Sequence, residues 1–337
     1  MGKHLGRQTM KMDSPVSIIN TSAIVGPKEG QGPLAQYFDV ILNDVLHGCE
    51  SWEKAESKIV QGTMELSVKK AGLEYKDIDM IIAGDLLNQN TGSTFGIMHI
   101  ERPFLGIFSA CSAMGEAMSI GAAIIDSGCA EKILVGASSH FCSAEKQFRS
   151  PLDLGGQRPP SSTWTVTGAG SAVLARSDAG PFITHATVGK IVDMGIKDAN
   201  NMGAAMAPAA VDTMVAHFKD TGRDPSYYDL IMTGDLGYIG HELVLRLMKE
   251  EGYHQGSNYG DCGIKIFDRK SQDTHSGGSG CACSAVTFAG YLYKNLKEKV
   301  INKLLFVPTG ALLSPTSSQQ GQSIPGIAHA VAIENTK

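Results

Sequence analysis

The feature that most restricts this chain is an internal repeat. The octapeptide DMIIAGDL begins at Asp79, and DLIMTGDL begins at Asp229, 150 residues later, with five of eight positions identical. In a chain of 337 residues that spacing leaves room for two copies of one folding unit and little else. Each octapeptide is a short apolar run stopped by Gly-Asp, which reads as a buried strand ending in a turn. A helical apolar pattern precedes each copy: Trp52, Ala55, Ile59 and Leu66 in the first half, Val211, Met214, Val215 and Phe218 in the second.

The correspondence continues downstream. FLGIFSA, from Phe104, leads into Cys111 and a helix of small residues to about Ser127, while a Gly-Ser-Gly turn after His275 leads into CACSAVTFAGYLYKNL. Strands follow at KILVGAS from Lys132 and KLLFVPTGA from Lys303, and each half closes with one more, SAVLA from Ser171 and HAVAI from His329. The halves meet near Asp178, Ala179 and Gly180, giving units over 1–178 and 179–337. Strands alternating with helices predict an α/β fold with mostly parallel sheets covered on both faces. The helices after Cys111 and His275 carry little charge on any face and read as the central buried elements. RSPLDLGGQRPPSSTWTVTG, directly after Phe148, is dense in Gly, Pro, Ser and Thr and reads as a long loop, a lid or a contact between subunits.

Composition narrows the function classes. The seven cysteines are odd in number and scattered outside any CxxC pair, which fits reduced thiols better than a secreted disulfide framework or a zinc site. With 29 Lys+Arg against 34 Asp+Glu the net charge is -5, and no basic cluster stands out, which argues against nucleic acid as the main partner. No uninterrupted apolar run approaches the ~20 residues of a spanning helix. The early apolar stretch is broken by Asn20, Thr21 and Ser22 and makes no signal peptide. The expectation is a soluble protein of a reducing compartment, at most peripheral on a membrane, without cofactor or metal.

Three segments carry a resemblance. AGDLLNQN (Ala83 to Asn90), SACSAMGEA (Ser109 to Ala117) and HSGGSG (His275 to Gly280) resemble the post-strand segment, the nucleophile turn and the His-Gly-Ser-Gly turn of the thiolase superfamily of thiolases and ketoacyl synthases. That resemblance implies two pseudo-symmetric halves with mixed β-sheets packed around central helices in αβαβα layers. GDLLNQN, FCSAEKQFR, MGAAMAPAA, HSGGSGCACSAVTF and TGALLSPT further resemble a sporulation branch of the superfamily in spore-forming Firmicutes. This implies a binder of dipicolinic acid (pyridine-2,6-dicarboxylate) and its calcium chelate, active in uptake into the developing spore and release on germination. It also implies a homodimer paired through a sheet strand, other subunits of the same sporulation machinery as partners, and a peripheral place at the spore inner membrane. A working acyl-CoA condensing enzyme is the alternative.

The chemistry centres on Cys111. At a helix N-terminus a thiolate is stabilised and its pKa falls, as a condensing enzyme requires, although a Cys among Ala, Ser and Met also reads as a small buried residue. By resemblance His275 faces the Cys111 pocket; the plainer alternative is a loop histidine bonded to its own turn. Thr309 stands where thiolases carry a second Cys, Asp235 where the family has Asn-Glu or His, and Ala113 and Met114 where thiolases have Ser and Gly. Those departures remove the usual proton transfer and imply lost catalysis. Asp85 and Asp235 are equivalent in the repeat; each either caps a turn or meets the pocket, where it orients His275 or binds calcium. A dicarboxylate also needs donors and cations, so the ligand-binding candidates are Cys111, Ser112, Asp85, His140, Arg149, Lys190, Asp235, His275 and Thr309, with Arg158 a further cation and Arg149 the first choice.

Overall fold

A computed structural model describes residues 3–148, 158–254 and 256–336. Ten strands form one continuous path: β1 (Thr9–Val25), β2 (Met80–Gly84), β3 (Phe104–Gly106), β4 (Lys132–Ser139), β5 (Gly168–Ala175), β6 (Phe182–Val188), β7 (Leu230–Thr233), β8 (Tyr259–Asp261), β9 (Lys303–Val307) and β10 (Gly326–Glu334). Their spatial order is β8-β7-β9-β10-β6-β1-β5-β4-β2-β3. Adding five to each strand number of the first half gives its counterpart in the second, so the order is a palindrome about the β1/β6 pair. That is the pseudo-symmetry of the repeat.

The expectation of mostly parallel sheets is corrected. Along this path pairing is parallel within the outer three strands of each half, β4-β2-β3 and β9-β7-β8, while every pair across the middle is antiparallel. The cause is β1, a 17-residue strand. Its first part pairs with β6 from Thr9↔Thr187 to Ser17↔Phe182, and its second part with β5 from Ser17↔Ala175 to Val25↔Gly168. One strand therefore serves both halves.

Helices α1 (Trp52–Lys70) and α2 (Thr91–Ile97) cover the outer face of the first half-sheet; α5 (Met202–Thr221) and α6 (Gly237–Glu250) cover that of the second. Between the half-sheets lie α3 (Ala113–Asp126) and, after α4 (Phe141–Phe148) and these outer helices in sequence, α7 (Cys281–Thr287), which continues through a π turn, Phe288–Leu292, to Lys297. Three apolar clusters match these layers, and the period of two along a strand sorts residues between them. In β9, Leu304 and Phe306 face the central cluster with Met114, Met118 and Phe288, whereas Leu305 and Val307 face Met214 and Phe218 of α5. Ile59, Met64 and Val68 of α1 pack on Ile81, Leu134 and Val173. The central layer is tight: a Cβ on Gly170 of β5 would lie 2.3 Å from the Ala285 carbonyl carbon and oxygen of α7, so the helix rests on bare strand backbone.

Two local readings also change. The FLGIFSA strand shrinks to Phe104–Gly106 because Ile107 onward turns inward to deliver Cys111. In the loop after Phe148, Trp164–Thr165 form a short strand paired with Gly278–Ser279.

Candidate functional site

Cys111 sits one turn position before α3, behind Ala110, whose φ of 49° is left-handed. That strained elbow swings the thiol toward the second half. Above it lies a mostly apolar cavity, tight at about 30 Å³ and opening toward solvent, lined among others by Leu86, Phe108, Phe148, Met202 and Leu313. It adjoins a second cavity through Phe108, Phe148 and Leu313, whose wall carries Asn88, Gln89, Asn90 and Gln147.

The floor is a closed hydrogen-bond set around Asp235. Thr309 Oγ1 donates to Asp235 Oδ1 (2.9 Å), while Ser279 Oγ (3.1 Å) and the Gly280 N–H (3.0 Å) donate to Oδ2. The Cys111 thiol lies beside the same carboxylate, whose charge acts on it. Gly280 has a φ of 95°, which lets its N–H turn inward. Behind Asp235, Asp261 accepts the N–H groups of Leu236 and Gly237, both at 3.0 Å, and so fixes the turn that presents it.

This geometry reverses the expected state of the thiol. Burial pushes the Cys111 pKa well above its ordinary value, and the Asp235 carboxylate pushes it further. Helix-end stabilisation, worth about 0.3–2 kcal/mol, is smaller than desolvation beside an anion. Burial also raises Asp235, to about 6. The thiol is kept protonated here, and the Gly280 N–H, a potential oxyanion donor, is occupied by Asp235. Asp235→Asn should accordingly raise the rate of Cys111 alkylation by iodoacetamide about tenfold or more at neutral pH, read by peptide mass spectrometry; an unchanged rate would show that access and not charge protects the thiol.

The sequence candidates separate into two groups. Cys111, Asp235 and Thr309 come together. Ser112 lies next to them but turns away: its hydroxyl donates to the Pro308 carbonyl (2.8 Å) and accepts the His329 N–H (3.1 Å). His275 does not reach the cavity, because its ring is held by the Pro159 carbonyl (3.0 Å) and the Asp273 carboxylate (3.0 Å) in its own loop. Asp85 accepts the Leu87 and Ser93 N–H groups at 2.8 and 2.7 Å, the capping role. His140 is buried between the Val45 carbonyl (2.7 Å) and the Cys142 N–H (3.2 Å), which fixes its neutral form. Lys190 is exposed and paired with Asp212 at 2.8 Å. Arg158 stacks on Trp164 and bonds Asp273. Arg149 lies outside the described residues.

Ser279 and Asp261 were missing from the candidates. Ser279 was legible within HSGGSG, since a serine one residue before a turning glycine can share its target; Asp261 had no motif. Cys281, the repeat counterpart of Cys111 at the head of α7, is buried as well, and its thiol donates to the Ala110 carbonyl (3.0 Å).

A profile of the stage V sporulation protein AD family matches residues 6–334. Stage V sporulation protein AD of Bacillus subtilis (strain 168) is 43% identical over 332 residues, covering 98% of each chain. The chain belongs to the stage V sporulation protein AD family. Its fold is that of the thiolase-like condensing enzymes. It is similar to 3-oxoacyl-[acyl-carrier-protein] synthase III from Aquifex aeolicus VF5 (TM-score 0.57, 13% identity, 95% of this chain and 99% of that one). It is also similar to cerulenin-bound OleA of Xanthomonas campestris (TM-score 0.61, 14% identity, 95% and 96%). Within the stage V sporulation protein AD family, the site described here thus pairs a condensing-enzyme scaffold with a carboxylate at the thiol.

Proposed function

We propose that the chain is a non-catalytic receptor for dipicolinic acid and its calcium chelate, serving uptake into the developing spore and release on germination. The observation that carries this reading is the Asp235 carboxylate, held by Thr309, Ser279 and Gly280 beside the Cys111 thiol at the floor of an apolar cavity. A nucleophile so placed is held protonated, while the adjoining cavity of about 310 Å³, reached past Phe108, Phe148 and Leu313, leaves room for a flat ring. The described residues lining the cavity include no cation, and Glu145 is the charged residue among them. The calcium chelate brings its own countercharge; Arg149, outside the described residues, stays the first-choice cation for a free carboxylate; and the amides of the adjoining cavity suit the ligand's outer oxygens.

Calorimetry with dipicolinate, with and without calcium, beside acetyl-CoA and acetoacetyl-CoA, tests the proposal. Binding of the first without thiol release from the others is the expected result. A stable acyl adduct on Cys111 together with turnover would establish the condensing-enzyme alternative instead.

Two further elements belong to this reading. No helix among the described residues is long and apolar enough to cross a membrane, so attachment at the spore inner membrane would run through other subunits of the sporulation machinery. A homodimer is expected through β3, which ends the sheet, with Phe95, Met98, Leu105 and Phe108 exposed beside it. Light scattering should give twice the chain mass of 35.7 kDa, and Leu105→Glu should halve it; a parent protein of single mass at micromolar concentration would refute the pairing.

A further inference from the structure

Two buried carboxyls that the site does not use stand behind its walls. Glu56 of α1 and Asp85 at the end of β2 are each 1% exposed. A Cβ on Gly92 would lie 3.1 Å from Glu56 Oε1 and 3.3 Å from Asp85 Cγ, so both carboxyls crowd against one glycine. Each holds a different wall of the cavity. Asp85 accepts the Leu87 and Ser93 N–H groups and shapes the turn that carries Leu86. Glu56 accepts Ser143 Oγ of α4 (2.8 Å) and Ser138 Oγ of β4 (2.9 Å), and α4 supplies Ala144, Glu145 and Phe148 to the lining.

We infer that Glu56 and Asp85 hold one proton between them, and that its loss releases α4 and opens the cavity wall, making access to the site pH-dependent. One negative charge is accommodated by the two serines and two N–H groups; a second in the same desolvated space has no counter-ion. The titratable neighbours bear this out. Glu53, also on α1, is paired with Lys146 of α4 (2.7 Å); Glu145 is a further acid on α4; His140 is held neutral; and the Cys281 thiol of α7 is itself pushed up by burial and then by both carboxyls. Helix α2 and strand β5, packed on α1, carry no titratable side chain, and Lys11 and Asp13 of β1 and Lys132 of β4 lie toward the opposite end of the sheet. Consistent with the geometry, burial followed by the charge of Asp85 raises Glu56 to about 8, and burial raises Asp85.

The fold supplies a reporter. Phe141, the first residue of α4, stacks on Trp164 with centroids 3.8 Å apart and planes 7° from parallel, and the chain has two tryptophans. In Trp52→Phe, emission and acrylamide quenching then report Trp164 alone. From pH 6 to 9.5 the expected result is a reversible red shift with stronger quenching, centred near pH 8, and its loss in the added variant Glu56→Gln. Lys28, 4.1 Å above the Trp164 ring, also titrates in alkali but is retained in both proteins, so the comparison isolates the carboxyl. If Glu56→Gln does not give a cooperative melt, Asp85→Asn, which keeps an acceptor, replaces it. A transition that survives in the folded variant, or none in the parent, overturns the inference. The readout needs no ligand, so its failure leaves the proposed receptor function standing and is distinguishable from failure of that function.

Discussion

Cys111→Asp is expected to lose dipicolinate binding. The new carboxylate would stand within reach of Asp235 and in the space of the ligand, whose two carboxylates already load the cavity with negative charge. A like-charge contact near 4 Å costs about 4 kcal/mol at the effective dielectric of a protein site, roughly a thousandfold in affinity. Cys111→Ala removes only the thiol and should bind with modest weakening, which separates charge from packing. Melting curves establish that both variants are folded, and calorimetry measures the affinity. A folded Cys111→Asp protein that binds as tightly as the parent would place the ligand elsewhere.

Stability is expected to change little between about pH 4.5 and 6.5, where buried acids and buried histidines act in opposite directions, and to fall on either side, where one set acts alone. On the alkaline side the cause is four buried acids. Burial raises Glu29 to about 7, Asp261 to about 7, Asp235 to about 6 and Glu56 to about 8. A carboxyl with a folded pKa above its unfolded value binds more protons when folded, so its contribution is fully present below the unfolded pKa and is lost as pH rises through the folded one. On the acid side the cause is histidine. Burial depresses His217 to about 3, His185 to about 4 and His329 to about 4. Here the unfolded chain binds protons first, and stability falls as pH drops below the ordinary histidine value. Glu29 is the cleanest test, since its carboxyl takes the Thr167 N–H (3.0 Å) and an amide can do the same. Glu29→Gln should gain roughly 3 kcal/mol on the parent between pH 4.5 and 8, measured by urea denaturation at both values. An equal difference at the two pH values would refute the assignment.

Sequence reasoning reached the architecture because the repeat exposes it: β2 and β7, the helices before them and the buried α3 and α7 all follow from aligned apolar runs. It missed β1, whose Asn20, Thr21 and Ser22 look like a break. In the fold their polar atoms are answered locally, Thr21 by the Ala289 carbonyl (2.6 Å) and Ser22 by that of Thr63 (2.6 Å), which no local pattern announces. At the site, residues adjacent in a motif were legible only as far as their backbone. HSGGSG does approach Cys111, but through Ser279 and Gly280, because the left-handed His275 (φ 53°) turns its ring back into the loop. The repeat could not tell Asp85 from Asp235 either: equivalent backbone positions face different neighbours, the Leu87 and Ser93 N–H groups for one half and the Cys111 elbow for the other.

The double duty of β1 sets a constraint on how the chain matures during synthesis. Apart from short pairings with Lys3–Leu5 and Val40–Ile41, its partners lie at 168–188, and the carbonyl that receives Thr21 lies at Ala289. A nascent chain must therefore carry most of this strand unpaired until about half of the protein has been made, and cannot bury it fully until α7 arrives. Closing contacts across such separations is entropically slow and leaves an apolar strand open to mispairing in the meantime. A fragment ending at the junction of the halves, near Gly180, would leave the first part of that strand without Phe182–Val188 on its edge, so the two halves, similar as they are, must be inherited and expressed as one piece.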